Sequence, residues 1–364
     1  MTWAEVDKQF AWIRAMHGCP QDSVYHAEGD VWTHVRMVFE AMTDLVEPVP
    51  SVLFDAVLLH DVAKPVCTRI EGERITSRGH SHRGAIMARR ILWEQDRAFA
   101  EREQVCALVR YHQSPFHLID RPDAARLAHL ISQTARCDLL TLLARADALG
   151  RTCRDQQDLL TRIQLFSEFC IEQDCLTGPR QFPSPLSRFE YFRAPGRDPN
   201  YKVHDASRCE VILMSGLPGS GKDTWIRRNA PDLPVVSLDD IREDLGAPPT
   251  GNQGAVIQEA KERTRVLLRQ GKGFVWNATN LSRDLRGPLI DLFTAYHART
   301  KIVYVEAPHD RLFTQNRERD HPVPPSALHR MMDRWEVPDP TEACAVQYVL
   351  QHPHGNPPSC DHPK

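Results

Sequence analysis

The sequence predicts two domains of different class: an all-α N-terminal half, then an α/β half built on a parallel sheet flanked by helices. Three observations predict it. The chain has 364 residues, beyond the roughly 100–200 of a usual single domain. Up to about residue 175, apolar residues recur at three- and four-residue spacing, the period of amphipathic helices. From Cys209 onward, short apolar runs alternate with helical stretches, the pattern of strands joined by helical crossovers.

The helical reading rests on Val31–Leu45, Val52–Val62, Ala85–Glu94 and Leu127–Leu149, which hold few β-branched runs. The texture changes between Leu176 and Arg208, where Pro179, Pro183, Pro185, Pro195 and Pro199 punctuate the chain. That stretch predicts a linker or irregular strap whose aromatics, Phe182, Phe189, Tyr191, Phe192 and Tyr201, pack on something. Beyond it, Val211–Met214, Val235–Leu238, Phe274–Trp276 and Ile302–Val305 read as buried parallel strands. Gln253–Arg269 and Arg283–Ala295 are the clearest helices between them. The expected layout is a domain at 1–178, a Pro-rich strap at 179–208, a second domain at 209–352 and a disordered tail at 353–364.

Composition narrows the function. With 45 Lys+Arg against 48 Asp+Glu, the net charge of -3 excludes a protein that coats nucleic acid, though not one with a local basic groove. Only 8 of those 45 basic residues are Lys; the Arg excess suits bidentate phosphate recognition, or reflects codon usage. No apolar run approaches the roughly 20 residues that span a bilayer, and the N-terminus lacks a signal-peptide core. The expectation is a cytoplasmic protein with no membrane partner. The 10 Cys form no C-x-x-C pair, which argues for scattered reduced thiols and against a Cys-based zinc site. The 17 His, more numerous than the 8 Lys, direct attention to metal chemistry.

After the strand at Val211 comes Gly216-Leu-Pro-Gly219-Ser220-Gly221-Lys222-Asp223-Thr224. A strand, a Gly-rich turn and a helix start are the context a nucleotide phosphate needs. Backbone N–H groups cradle the phosphates, the helix dipole adds positive potential, and Lys222 reaches the terminal phosphates. Asp223 stands where a Ser or Thr hydroxyl usually meets Mg²⁺. Either Asp223 takes that ligand role, or it favours the helix N-terminus and Thr224 or water serves the metal. The next strand ends in Asp239-Asp240-Ile-Arg242, at the sheet edge that faces the ligand cleft. A carboxylate there can accept a proton from an attacking hydroxyl, and an Arg one turn on can hold an acceptor phosphate. Asn277-Ala-Thr279-Asn280 with Arg283 and Arg286 follows. The run Gln315-Asn-Arg317-Glu-Arg319 then suits a helical lid over transferring phosphate.

These motifs, over roughly Glu210–Trp335, resemble the phage-type polynucleotide 5′-kinases. The resemblance implies transfer of the γ-phosphate of ATP, or another NTP with Mg²⁺, to a 5′-hydroxyl. It implies Asp239 as general base, Arg242 with Thr279 and Asn280 as acceptor contacts, and Arg319, helped by Arg317, as lid arginines. Gln315 departs from the pattern at the other expected lid position.

The first half spreads a different set: His34, His60-Asp61 with Lys64 a turn later, Gly79-His80-Ser-His82-Arg-Gly84, His112, and Asp147. Imidazoles and carboxylates suit divalent transition ions such as Mn, Fe, Co, Ni or Zn. Adjacent His60 and Asp61 can share an ion only near a helix end, because helical neighbours point about 100° apart. Gly84 would permit close helix approach. The set, over Val31–Arg151, resembles the HD-superfamily phosphohydrolases, an all-helical fold. That resemblance implies a metal on His34, His60, Asp61 and Asp147, additional histidines His80 (or His82) and His112, and Lys64 beside the scissile phosphate. An HD phosphohydrolase followed by a P-loop kinase resembles bacterial bifunctional end-healing enzymes. These act on RNA or DNA ends ahead of a ligase, opening a 2′,3′-cyclic phosphate, removing the remaining phosphate and phosphorylating the 5′-hydroxyl. Two rival readings are a nucleotidase fused to a small-molecule kinase and a nucleotide-sensing module.

Overall fold

In the computed structural model, residues 2–72, 74–248 and 253–351 are described. The tail expected to be disordered lies outside them. The chain divides between Gln181 and Phe182 into two compact units.

In the first unit, a capping box at Thr2 and Glu5 starts α1 (Trp3–Gln9), and α2 (Ala11–Arg14) follows. Asp30 accepts from Thr33 N to cap α3 (Val31–Leu45), whose buried stripe runs Val31, His34, Val35, Val38, Phe39 and Met42. A histidine therefore sits on the apolar face. The nearly all-apolar α4 (Ser51–Leu59) lies in the core and stops one residue before His60. After α5 (Lys64–Cys67), an exposed antiparallel hairpin of β1 (Arg69–Glu71) and β2 (Arg74–Thr76) interrupts the helices. Its strands are short and solvated, so no hydrophobic period announces them. Gly79, at φ 77°, turns the chain into α6 (His80–Glu94), and α7 (Phe99–Tyr111) packs back on it. The helical stretch expected over Leu127–Leu149 is two helices, α8 (Ala124–Ser132) and α9 (Cys137–Leu149). The Ser132 and Thr134 hydroxyls donate to the carbonyls of His129 and Ile131, competing with helix continuation there. The unit's last helix is α10 (Gln156–Glu172).

The second unit opens with α11 (Pro185–Arg193), inside the stretch read as a strap. Pro185 occupies the first helical turn, where a missing N–H costs nothing, and Phe189 enters the sheet's core. Then come β3 (Cys209–Ser215), α12 (Lys222–Asn229), β4 (Val235–Ser237), α13 (Leu238–Asp244) and α14 (Gly254–Arg269). The chain continues through β5 (Phe274–Asn277), α15 (Arg283–Ala295), β6 (Ala298–Glu306), α16 (His309–Arg317), α17 (Pro325–Met332) and β7 (Ala345–Leu350). The strands form one parallel sheet in the order β4-β5-β3-β6-β7. Alternation puts Val211 and Leu213 on one buried face and Ile212 and Met214 on the other. The strand β7 escapes sequence reading because it is a half-buried edge with Gln347 in its middle.

Candidate active sites

In the helical unit, His34, His60, Asp61, His80, His112 and Asp147 come together from α3, the turn after α4, the start of α6, the end of α7 and α9. All are buried. They form two neighbouring groups of possible ligands: His34, His60 and Asp147, and Asp61, His80 and His112. Asp61 stands between them. Its Oδ2 lies 3.3 Å from His60 Nε2 and 3.8 Å from His34 Nε2, its Oδ1 3.3 Å from His80 Nε2 and 3.9 Å from His112 Nε2. His80, and not His82, thus takes the inward position. Gly84 permits the approach: a Cβ there would stand 3.2 Å from Val109 and 3.7 Å from the His60 carbonyl oxygen.

The imidazoles are oriented from behind. His60, His80 and His112 present Nδ1 to the carbonyls of Val57, Ser77 and Val109 at 2.7, 2.7 and 2.8 Å. His34 Nδ1 faces Glu28 Oε1 at 2.9 Å and the Gly150 carbonyl at 3.2 Å. With Nδ1 as donor, each Nε2 turns a lone pair inward. Yet His34 and His60 Nε2 lie 3.4 Å apart, as do those of His80 and His112. Lone pairs facing each other at that range repel unless a cation lies between them. Asp61 Oδ1 also has no hydrogen-bond donor. These donors fit divalent ions of borderline softness.

Charge balance reinforces the set. Burial alone would raise the Asp61 carboxyl, but the Lys64 ammonium, 2.7 Å away, and His60 hold it well below the usual carboxylate range. Asp147 is likewise held down against burial, by Arg151, which donates to both its oxygens at 2.8 Å. Burial, then neighbouring His80 and His60, push His112 down to about 3, so it stays neutral and able to ligate. Sequence reading missed three supporting residues. Glu28 accepts from Thr152 N and holds His26 and His34, but lies in a loop with no motif. Gln21 accepts from Lys64 Nζ at 2.6 Å, again from a distant loop. Arg151 carried a signal, its i+4 spacing from Asp147.

In the sheet unit, β3 runs into the glycine loop. Gly216, Gly219 and Gly221 have φ of 145°, 82° and 93°. A Cβ on Gly216 would lie 2.3 Å from the Val305 carbonyl oxygen, so the residue must be glycine on two counts. The loop delivers the chain to the N-terminus of α12. Lys222 Nζ donates to the Gly216 and Leu217 carbonyls at 2.9 and 3.0 Å, and its burial pushes its pKa down to about 8. Ser220 Oγ is buried without a partner. Positive helix end, glycine cradle, lysine and unpartnered hydroxyl together fit a nucleotide's phosphates. Gln351 Nε2 donates to the Ser220 carbonyl, bracing the loop from β7's end. Gln315, its amide turned so that donor meets acceptor, donates to the Gly219 carbonyl at 2.6 Å and braces the loop from α16, where an arginine was expected. Asp223 is exposed and accepts from Asn277 Nδ2 at 2.7 Å, while Thr224 accepts from Arg227.

Asp239 is the second residue of α13, just past the C-terminal end of β4. Arg242 NH1 lies 2.5 Å from one of its oxygens and Arg319 NH2 3.6 Å from the other. The expected base, acceptor arginine and lid arginine are therefore neighbours. Arg317 instead donates to Thr314 Oγ1 on its own helix. Asn316 accepts from Val323 N and donates to Val323 O, pinning the turn that carries Arg319. Thr279 offers its backbone carbonyl to Gly216 N. Asn280, expected at the acceptor, is buried with φ 44°, and its Nδ2 donates to the Met214 carbonyl. Its side chain ties the loop after β5 to β3, because that sharp turn leaves a strand carbonyl to satisfy. Arg283 and Arg286 are also structural, pairing with Asp339 and with both oxygens of Glu342.

Two family models match parts of the chain: HD domain over residues 31–152 and AAA domain over residues 211–338. The protein thus joins an HD domain to a P-loop kinase-like domain. Among solved structures, one described as a sugar kinase from Janibacter sp. is 18% identical, with a TM-score of 0.31, over 39% of this chain and 85% of its own. A gluconokinase from Sinorhizobium meliloti is 19% identical, with a TM-score of 0.29, over 39% and 82%. No described helix is long and apolar enough to cross a membrane.

Proposed function

We propose that the protein heals broken nucleic-acid ends, RNA foremost, with the HD unit acting on a 2′,3′-cyclic phosphate or terminal phosphate and the sheet unit phosphorylating a 5′-hydroxyl from ATP. The observation that carries the kinase half is Asp239 between Arg242 and Arg319. Its side chain is 71% exposed, open to an acceptor from solvent. In this reading, Asp239 takes the hydroxyl proton. Arg242 holds the acceptor's phosphate, and Lys222 and Arg319 meet the charge of the transferring group. Mg²⁺ bound with ATP would lie near Asp223 and neutralise phosphate charge.

For the other half, His34, His60, Asp61, His80, His112 and Asp147 would hold divalent ions. Such ions, when bound, activate water and polarise the phosphoryl oxygens. Lys64, fixed between Asp61 and Gln21, neutralises negative charge within the same cluster. The ends produced would suit a ligase acting afterwards.

The test is one substrate, an RNA with a 5′-hydroxyl and a 2′,3′-cyclic phosphate, given ATP with Mg²⁺ or Mn²⁺. Both ends should be healed. Asp239→Ala should abolish only the 5′ step and His60→Ala only the 3′ step. If neither end changes while a free nucleoside or sugar is phosphorylated, the protein is instead a nucleotidase fused to a small-molecule kinase. Steep weakening of RNA binding with salt would support the nucleic-acid reading.

A further inference from the structure

Three cysteines that the sequence scatters are neighbours in the fold. Cys137 opens α9, Cys170 lies in the last turn of α10, and Cys175 follows that helix. All three are at most 1% exposed, and their Sγ atoms lie within 4.8 Å of one another. Asp174, at φ 51°, reverses the chain so that Cys175 N donates to the Cys170 carbonyl at 2.9 Å. Asp138 N donates to the Leu176 carbonyl at 2.9 Å, fixing the start of α9 to the same turn. Two helix ends and a loop are thus tied where the thiols converge. The absence of a C-x-x-C pair hid this arrangement, because one donor comes from a helix more than thirty residues earlier.

We infer that Cys137, Cys170 and Cys175 form a structural metal site for a soft divalent ion, zinc by the chemistry of its donors, separate from the HD cluster. Sulfurs bound tetrahedrally to zinc at about 2.3 Å stand about 3.8 Å from each other, inside the observed envelope. Cys137 is at the positive end of a helix of 13 residues. A fourth donor would come from water. An ion here would clamp α9, which carries Asp147, to α10.

The test uses the full chain, purified without chelators, counting bound metal and recording the spectrum after cobalt exchange. The expected result is a thiolate-to-cobalt charge-transfer band that persists in His60→Ala and disappears in Cys175→Ser. Zinc should also leave the wild-type protein when a mercurial reagent titrates its thiols, a readout that needs no folded variant. The inference is overturned if wild-type protein shows no charge-transfer band, or if mercurial releases no zinc. A disulfide between any two of the three in protein purified under reducing conditions would also overturn it. None of these outcomes depends on which substrate either unit uses.

Discussion

Asp61 and Asp239 are both carboxylates paired with a basic side chain three residues on, Lys64 at 2.7 Å and Arg242 at 2.5 Å. Their side chains differ in exposure, 2% against 71%. The HD cluster is complete within one buried core, with each imidazole set by a backbone carbonyl. The kinase-side residues sit at strand and helix ends around a loop shaped for phosphates. Ligating ions demands donors desolvated and oriented in advance, because a misplaced ligand loses affinity outright. Phosphoryl transfer lets nucleotide and acceptor complete the site, so its groups must stay reachable.

That contrast can be broken by mutation. Asp61→Asn, which removes the charge shared by both histidine groups, should take 3′-end hydrolysis to background and leave 5′ phosphorylation untouched. Loss of both activities, measured on end-labelled RNA, would refute independent centres. Next in size, Arg319→Ala should lower kinase kcat about 10²–10³-fold, whereas Arg317→Ala should stay near wild type. Equal losses would mean the lid uses both arginines. Glu28→Gln should weaken metal affinity of the HD cluster about 10–100-fold, visible as a higher Mn²⁺ requirement for hydrolysis with unchanged kinase rate. An unchanged requirement would show that the Gly150 carbonyl alone orients His34.

A separate effect concerns stability rather than rate. Burial would raise the Glu103 carboxyl, but Arg89 and Arg102 hold it below its ordinary 4.5. A lowered folded pKa contributes stability that is complete above pH 4.5 and lost as pH falls through the folded value. Glu103→Gln should therefore cost about 3 kcal/mol near neutrality and make the stability of the helical unit less sensitive to acid. Denaturation curves at pH 7 and pH 4 that shift in parallel would contradict this.

Legibility in the sequence followed locality. The glycine loop was readable because its three positive-φ glycines, its lysine and its helix start are contiguous. The α15 helix was readable to the residue, Arg283–Ala295, from its period alone. The Pro-rich strap concealed α11, since Pro at a helix start and Pro in a linker look alike. Hairpin β1–β2 and edge strand β7 bury too little to leave a pattern. Asn280 matched a motif while its side chain turned inward, because spacing cannot say which way a side chain faces after a turn.

By itself, then, the sequence determined two folding units, a phosphate-binding loop and the residue types of a divalent-ion site. Each follows from short-range periodicity or from backbone conformations that only certain residues adopt. Only the tertiary structure decided the grouping of donors: Asp61 between two histidine pairs, Glu28 behind His34, Arg319 beside Asp239, and three cysteines at one corner. Those groupings join residues from separate elements, and their geometry is set by how helices and strands pack.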